Sequence, residues 1–330
     1  ALMLYCTAID KQPTYESLQK LSSYISEFES YNLAHHGYRK DLYYSLGITW
    51  HHLGRIYDTF AIDAFKKYIF YLLGMSSHTA YSPICYSFRK CTTYLYQSLT
   101  LEQLNLSSPC TFNDPFDSPI VSLLDKNDEI AMLIRTAYLD CVKIACFVSN
   151  VMLPFQKDRN ISGEIVRNKR KQEDNTSEEF QNELMWAHYA NNYAGVCFEF
   201  ELDINLNNIH KVSYIDHQFD TLYEPSDDEF YKAIEKSLVF KSKNWSYEEE
   251  YRLITKENKQ FLDNIKLTGI IIGHKSVWAK DIINWVKDKN IPIYYTLIST
   301  KNYEVNIINK LPTMLDMGVD TLKNIGYFGY

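Results

Sequence analysis

Two glutamates and an arginine, Glu248, Glu250 and Arg252, follow one another at two-residue spacing. If residues 247–254 are extended, alternate side chains share a face, so these three charged groups lie in one row. Carboxylates beside a guanidinium are coupled charges whose pKa values shift. The structural alternative is a solvated strand face with a cross-strand ion pair. The neighbouring aromatic residue Trp245 favours packed flanks over wet ones.

A second polar cluster lies in residues 107–117, where two prolines and an Asn-Asp-Pro sequence predict a tight, irregular loop. Asn113 and Asp114 have side chains that can bond their own backbone, so an Asx-turn is the structural interpretation. A rigid loop that presents an amide and carboxylates is also typical of a binding site. We expect Phe112 and Phe116 to anchor this loop to the core.

A third cluster lies in residues 180–193, which we predict to be a helix that ends near Gly195. On this helix His188 lies beside a face formed by aromatic residues, including Trp186 and Tyr189. A histidine on such a helix is either a hydrogen-bonded core residue or part of a site. The segment after Gly195 is typical of a buried strand.

Three helical runs between residues 14 and 75 are predicted by apolar residues at three- and four-residue spacing. Within them, the sequence Trp50-x-x-Leu53-Gly54-x-x-Tyr57 resembles the first helix of a tetratricopeptide repeat, in which the glycine allows close helix packing. The second-helix alanine of that repeat is replaced by Lys66. We therefore expect residues 1–80 to form a helical, degenerate tetratricopeptide-like segment.

The remainder, residues 81–330, alternates short β-branched and aromatic runs with helical stretches, which predicts an α+β domain. The expected fold class is a helical segment followed by a mixed, mainly antiparallel sheet with flanking helices. The predicted strands are 84–88, 143–149, 195–202, 251–255, 267–273 and 291–298. The predicted helices are 118–141, 180–193, 227–239 and 276–288. Residues 156–182 are polar and are expected to form an exposed insertion or a flexible loop.

Composition narrows the class of protein. The chain has 330 residues, 46% of them hydrophobic, which provides a sizeable core and argues against general disorder. A net charge of −7 does not favour a general nucleic-acid-binding surface. The seven cysteines show no C-x-x-C spacing, so free thiols in a reducing cytoplasm are expected. The apolar runs are too short to span a membrane, and no signal-peptide pattern is seen.

Taken in order, the three clusters resemble the bacterial domain-of-unknown-function family 2971 (DUF2971). The sequences that carry the resemblance are S-S-P-x-x-F-N-D-P-F-D, M-W-x-H-Y-A-x-x-x-x-G-V-C-F-E-F and K-x-x-x-W-x-Y-E-x-E-Y-R-L-I. The similarity runs from about Tyr86 to about Ile308. The polar stretch 156–182 is a departure, because it looks longer than usual for the family.

The order of parts also resembles a diverged ADP-ribosyltransferase, which implies NAD as a substrate. That resemblance implies that Arg89 holds the pyrophosphate, with Ser107 on a middle segment. Glu250, followed in importance by Glu248, would stabilise positive charge at the sugar, and Tyr189 would stack on nicotinamide. A third candidate catalytic residue is His188. Further candidate contacts to the substrate are Asn113, Asp114, Trp186 and Arg252.

Two other classes of function remain open at this point. A Mg²⁺- or Mn²⁺-dependent hydrolase or nuclease would use as ligands Asp114, Asp117, His188, Glu248 and Glu250. A non-enzymatic binding module would use the N-terminal helices as a docking platform for a protein partner. A helical module ahead of an enzyme-like domain suggests an effector or toxin, for example in antiphage defence, and this rests on association alone.

Overall fold

The computed structural model describes residues 14–30, 36–73, 84–114, 116–117, 124–125, 127–148, 155–159, 165–169, 183–201, 209–216, 223, 229–255, 261–262, 266–299 and 304–308. The α-helices in these ranges are α1 (Tyr15–Ser30), α2 (His36–Leu53), α3 (Asp58–Leu72), α4 (Thr93–Thr100), α5 (Glu129–Cys141), α6 (Glu183–Tyr189), α7 (Phe230–Val239) and α8 (Ala279–Val286). Short 3₁₀ helices occupy Arg55–Tyr57, Pro109–Thr111 and Lys243–Glu248.

The strands, in chain order, are β1 (Ile84–Arg89), β2 (Leu104–Asn105), β3 (Lys143–Val148), β4 (Phe155–Arg159), β5 (Ile165–Lys169), β6 (Val196–Glu201), β7 (Ile209–Lys211), β8 (Ser213–Ile215), β9 (Phe240–Ser242), β10 (Glu250–Thr255), β11 (Phe261–Leu262), β12 (Lys266–Ile272), β13 (Ile293–Ser299) and β14 (Glu304–Ile308). An eight-stranded sheet has the order β14-β13-β12-β6-β1-β3-β10-β7. Neighbouring strands in this sheet are antiparallel, except for β12 and β13, which are parallel. The α+β fold class is therefore confirmed.

The predicted strands agree with the observed ones to within one or two residues at most ends, because each is a short β-branched or aromatic run buried on both faces. All residues of β6 except the last are buried, as are all residues of β10 except the last. The helix predicted over 118–141 begins at Glu129. Asp128 caps it, since its carboxylate accepts hydrogen bonds from Ile130 N at 2.8 Å and Ala131 N at 3.3 Å. Residues 118–123 lie outside the described residues.

The N-terminal helices bury apolar side chains against the rest of the fold. Leu18 of α1 and Phe65 of α3 belong to one apolar cluster with Ile134 and Tyr138 of α5. The cluster extends to Ile254 of β10. The prediction of helices over residues 14–75 is thus confirmed where the chain is described, and these helices pack on the mixed domain.

The tetratricopeptide-like motif does not form a single helix. Helix α2 ends at Leu53, and Gly54 adopts a φ of 141°, which breaks the helix before Tyr57. A Cβ at Gly54 would meet no atom within 4 Å, so this glycine does not serve close packing. That role belongs to Gly47, where a Cβ would lie 2.5 Å from the Phe65 ring. The expected role of Gly54 was therefore wrong.

Within the polar segment 156–182 the structure describes residues 156–159 and 165–169, and both stretches belong to strands. Strands β4 and β5 pair antiparallel within it, with Phe155 opposite Lys169, so the prediction of a loop is wrong for these two stretches. Residues 170–182 lie outside the described residues. The cysteines in the described part of the chain are free, as expected.

Candidate functional site

A cavity of about 390 Å³ opens beside the junction of β1 and β3, two neighbouring interior strands of the sheet. These strands share a single register pair, Tyr86 opposite Val148. Beyond this pair the ladder is replaced by a side-chain contact, in which Ser87 Oγ donates to the Cys146 carbonyl at 3.3 Å. Because β1 and β3 separate beyond this pair, side chains of both strands, including Arg89, line a common space.

Glu248 and Glu250 both line this cavity, but not for the reason expected from the sequence. The extended conformation predicted for residues 247–249 was wrong, because Lys243–Glu248 is a 3₁₀ helix and Glu249 has a left-handed φ of 44°. The two carboxylates converge on Lys241 instead. Its Nζ donates to Glu248 Oε2 at 2.6 Å and to Glu250 Oε2 at 3.3 Å.

Behind the cavity wall, Arg252 is fully buried and bonded on every side. Its Nε donates to Glu250 Oε1 at 2.9 Å, and Nη1 and Nη2 donate to the two carboxylate oxygens of Asp117 at 2.8 and 2.6 Å. Nη1 also donates to the Leu238 carbonyl at 2.8 Å, and the guanidinium lies 5.3 Å from the Phe112 ring centre. The interpretation of this row as a solvated ion pair is therefore wrong.

We refer to these side chains as the ion cluster: Asp117, Lys241, Glu248, Glu250 and Arg252. Three carboxylates face two cations, which leaves one negative charge in excess. Burial raises the pKa of Glu248 to about 7, repulsion from Glu250 adds to the increase, and Lys241 opposes it. Burial also acts to raise the pKa of Glu250, but Arg252 and Lys241 outweigh it and hold this pKa at about 2. Glu248 is thus the carboxylate that exchanges a proton near neutral pH.

Helix α6 brings Tyr189 and His188 to the same cavity. The Tyr189 hydroxyl donates to Glu248 Oε1 at 2.5 Å. Burial and the Glu248 charge raise the pKa of Tyr189, so the hydroxyl remains a proton donor, while a side-chain hydrogen bond with Asn113 acts in the opposite direction. His188 is exposed, with its ring centre 5.8 Å from that of Trp245, so the core interpretation of this histidine does not hold.

Arg89 ends β1 and supplies a cation to the cavity wall, next to Lys90. Burial lowers the pKa of the guanidinium. Within the described part of the chain its Nε meets no hydrogen-bond partner. Its backbone is held by Gly195, where a Cβ would lie only 2.2 Å from the Arg89 carbonyl oxygen. A partly desolvated guanidinium with an unused Nε donor is a natural site for an anion.

The turn that ends α6 explains how the chain passes from Tyr189 at the cavity to β6 beside Arg89. The predicted helix over 180–193 stops at Tyr189, because Asn191, Asn192 and Tyr193 adopt left-handed φ values of 48°, 51° and 68°. The chain therefore reverses within a few residues and enters β6 beside Arg89. Left-handed backbone is costly for residues other than glycine, and surrounding contacts must hold it.

Some predicted site residues have structural roles in this arrangement. Asp114 is buried, and its Oδ1 accepts a hydrogen bond from Phe116 N at 2.9 Å, so the Asx-turn interpretation holds for this residue. Phe116 is 68% exposed and does not anchor the loop, contrary to expectation. Trp186 is buried and stacks on Tyr193 at 5.7 Å between ring centres. Ser107 lines the cavity and pairs with β3 through its backbone.

Two members of the ion cluster were not among the residues predicted for an enzyme site with NAD. Lys241 opens the third sequence cluster, four residues before Trp245, which was a usable signal. Asp117 was expected as a ligand in the metal-dependent alternative, and its partner Arg252 is 135 residues away. The side chain of Glu250 is only 5% exposed, although it lines the cavity.

The geometry also bears on metal ligation and on membrane insertion. No group of three or more His, Cys, Asp or Glu side chains among the described residues is arranged to hold a metal ion. The carboxylates of the ion cluster are instead bonded to Lys241 and Arg252. Within the same ranges, no helix combines the length and the apolar character needed to cross a bilayer.

Comparison with known proteins gives one match. No curated protein and no solved structure matches the chain. The part of the chain that matches a family model, residues 185–253, includes the left-handed turn after α6. It also includes four members of the ion cluster: Lys241, Glu248, Glu250 and Arg252. It is shorter than the range of about 86–308 expected from the sequence. Residues 185–253 match the model of a family described as protein of unknown function (DUF2971).

Proposed function

We propose that this chain is an enzyme that transfers ADP-ribose from NAD, with the cavity beside β1 and β3 as the NAD site. The observation that carries the proposal is the meeting of Glu248, Tyr189 and Arg89 around one cavity of about 390 Å³. This volume lies within the usual ~300–1,000 Å³ of a small-molecule site. Arg89, whose Nε has no hydrogen-bond partner in the described part of the chain, lines the same cavity as Glu248 and suits an anionic substrate.

The reaction would break the bond between the anomeric carbon and the nicotinamide nitrogen. The bonding electron pair leaves with nicotinamide, and positive charge develops on the sugar. An O–H or N–H group of the acceptor then forms a new bond to that carbon and gives up its proton. Glu248 is suited to receive this proton, since its pKa of about 7 matches a working pH near neutrality.

Glu250 has a different part in this proposal. With a pKa of about 2 it is ionised at any working pH, so it contributes fixed negative potential near the sugar. Its carboxylate oxygens are already bonded to Lys241 and Arg252. We therefore assign proton transfer to Glu248 and place Glu250 second, which reverses the order expected from the sequence.

Arg89 would hold the pyrophosphate. Its Nε has no hydrogen-bond partner in the described part of the chain, and a guanidinium matches two phosphate oxygens at once. Tyr189 would keep Glu248 oriented, and His188 and Asn113 would contact the substrate at the cavity wall. The metal-dependent alternative receives no comparable support from the geometry of the described carboxylates.

The test is release of nicotinamide from NAD by the purified protein, with Glu248→Gln as the variant and Glu249→Gln as its control. Glu249 neighbours both glutamates in sequence but does not line the cavity. Loss of a general base lowers turnover by about 10²–10⁴-fold, so we expect Glu248→Gln to lose at least about a hundredfold and Glu249→Gln to stay near wild type. A folded wild type that never consumes NAD, with or without acceptors, would contradict the proposal.

The cellular role that we propose is that of a toxin-like effector. If NAD is consumed or a cellular target is modified, expression of the wild type slows bacterial growth. Expression of Glu248→Gln at the same level does not. If the two proteins were equally toxic, the effect on growth would not depend on Glu248 in the cavity.

A further inference from the structure

Three rings stand together, His188, Trp245 and Tyr247, and the first of them lines the cavity. Their centres are 5.8 Å apart for His188 and Trp245, 6.4 Å for His188 and Tyr247, and 6.0 Å for Trp245 and Tyr247. We call these three residues the aromatic rim. His188 is exposed, and the other two side chains are half-buried.

The polar ends of the aromatic rim are unused. Within the described residues, no hydrogen bond reaches the His188 ring nitrogens, the Trp245 Nε1 or the Tyr247 hydroxyl. Nearby rings differ in this respect, because Trp186 is buried and the Tyr189 hydroxyl is bonded to Glu248. Half-exposed rings with free donors and acceptors can offer both a stacking face and hydrogen bonds to a ligand.

The aromatic rim is joined to the cavity and held by it. His188 is itself a lining residue, and Tyr247 directly precedes Glu248 in the chain. The Trp245 ring lies 5.0 Å from Lys241 Nζ, a cation–π contact that fixes the ring over the ion cluster. Because the Trp245 ring is already held by Lys241, it loses little conformational entropy when a ligand stacks on it.

We propose that the aromatic rim is a stacking subsite for the base of a nucleoside phosphate whose phosphate binds at Arg89 and Lys90. Aromatic side chains stack on any nucleobase, because every base has a π-face. The two cations that line the same cavity supply the partner for the anionic end. This inference deepens the proposed function by assigning a base-binding surface, and it rests on that function only for the natural ligand.

The competing explanation is that the aromatic rim merely covers Lys241. In that case a ligand gains nothing from carrying a base. The two explanations differ most clearly for AMP and ribose 5-phosphate, since both carry a sugar and a phosphate but only AMP carries a base.

The experiment measures the binding of AMP and of ribose 5-phosphate to the full chain by isothermal titration calorimetry. Stacking on an aromatic side chain corresponds to about a tenfold gain or more per base, so we expect wild type to bind AMP at least about tenfold more tightly. His188→Leu and Tyr247→Leu should remove most of this difference and leave ribose 5-phosphate binding unchanged. His188→Phe, which keeps a ring, should retain it.

Matched controls are His52→Leu and Tyr24→Leu, which remove exposed rings on α2 and α1. Equal binding of the two ligands by wild type, or unchanged AMP binding in both rim variants, would overturn the inference, as would the absence of AMP binding. Base-dependent binding without NAD turnover would support the subsite and refute the proposed transfer. NAD turnover without base-dependent binding would refute the subsite alone.

Discussion

The ion cluster has an inner and an outer half, each with a glutamate, and the pKa values of these two glutamates are shifted in opposite directions. The inner half consists of Asp117, Glu250 and Arg252. The outer half is Glu248, whose hydrogen-bond partner Tyr189 lies outside the cluster. Lys241 contacts both halves, at 2.6 Å to Glu248 and 3.5 Å to Asp117. The inner carboxylates are ion-paired to a guanidinium that has no exposed surface, whereas Glu248 shares Lys241 and has a neutral tyrosine as its other partner.

This difference shows how one buried cluster can hold both a structural anion and a proton-exchanging acid. Burial alone would raise the pKa of either glutamate. Two cations cannot fully compensate three carboxylates, so the excess negative charge is relieved where the cationic support is weakest. That place is Glu248, at the cavity. Two glutamates only two residues apart therefore have pKa values shifted in opposite directions.

The largest effect that we expect comes from removing the inner cation. Arg252→Met would leave Glu250 and Asp117 as buried charges without their guanidinium, which typically costs about 3–5 kcal/mol. The free energy of unfolding from urea denaturation should fall by this order. Lys266→Met is the control, because Lys266 is 72% exposed and pairs with Glu201 at the surface. An equally small loss in both variants would show that the inner half does not stabilise the fold.

A smaller effect, of opposite sign in the two halves, concerns stability against pH. The pKa of Glu248 is raised in the folded state, so the folded protein binds more protons than the unfolded chain between pH about 4.5 and about 7. Its contribution to the free energy of unfolding therefore decreases as pH rises through this window. The contribution of Glu250, whose pKa is lowered to about 2, is instead present above pH about 4.5 and is lost as pH falls below it.

Glu248→Gln should accordingly abolish the decrease between pH 4.5 and 7 and gain on wild type by about 3 kcal/mol at pH 8. Glu250→Gln should lose stability at the same pH, because Arg252 loses a charged partner. Urea denaturation across this pH range measures both, and Glu249→Gln should follow wild type throughout. A Glu248→Gln variant that is destabilised at pH 8 as strongly as Glu250→Gln would remove the distinction between the halves.

The smallest effect concerns the hydrogen bond from Tyr189. Because this bond lowers the pKa of Glu248, Tyr189→Phe should raise that pKa further, by less than about one unit. The acidic limb of the rate profile for NAD consumption should move to higher pH by the same amount, with the fold intact. A lower turnover with an unmoved limb would mean that Tyr189 acts on the substrate and not on Glu248.

How much of this could be predicted from sequence depends on the range of the interactions. Strands such as β6 and β10 follow from local runs of β-branched and aromatic residues, so their positions were predictable. The presence of Arg89, His188 and Glu248 at one cavity followed from their residue types and from the resemblance. Local alternation failed at Glu249, since its left-handed φ of 44° depends on how the 3₁₀ helix joins β10.

The pairing of Arg252 with Asp117 was beyond any local pattern, because it spans 135 residues and depends on the sheet order. The opposite pKa shifts of Glu248 and Glu250 were beyond it for the same reason, since they arise from cations contributed by separate elements. The sequence indicated Arg252 as a pKa-lowering partner of Glu250, and the geometry agrees. It gave no sign that Lys241 would contact both glutamates.

The most direct test of the account is to titrate the glutamate carboxyl groups by ¹³C NMR, using Glu248→Gln and Glu250→Gln to assign the signals. We expect one carboxyl signal to titrate near pH 7 and to be absent from Glu248→Gln. The signal absent from Glu250→Gln should remain that of an ionised carboxylate far below pH 4.5. If Glu248 titrates near its ordinary value of about 4.3, or if the signal near pH 7 belongs to Glu250, the proposed division between the two halves is contradicted.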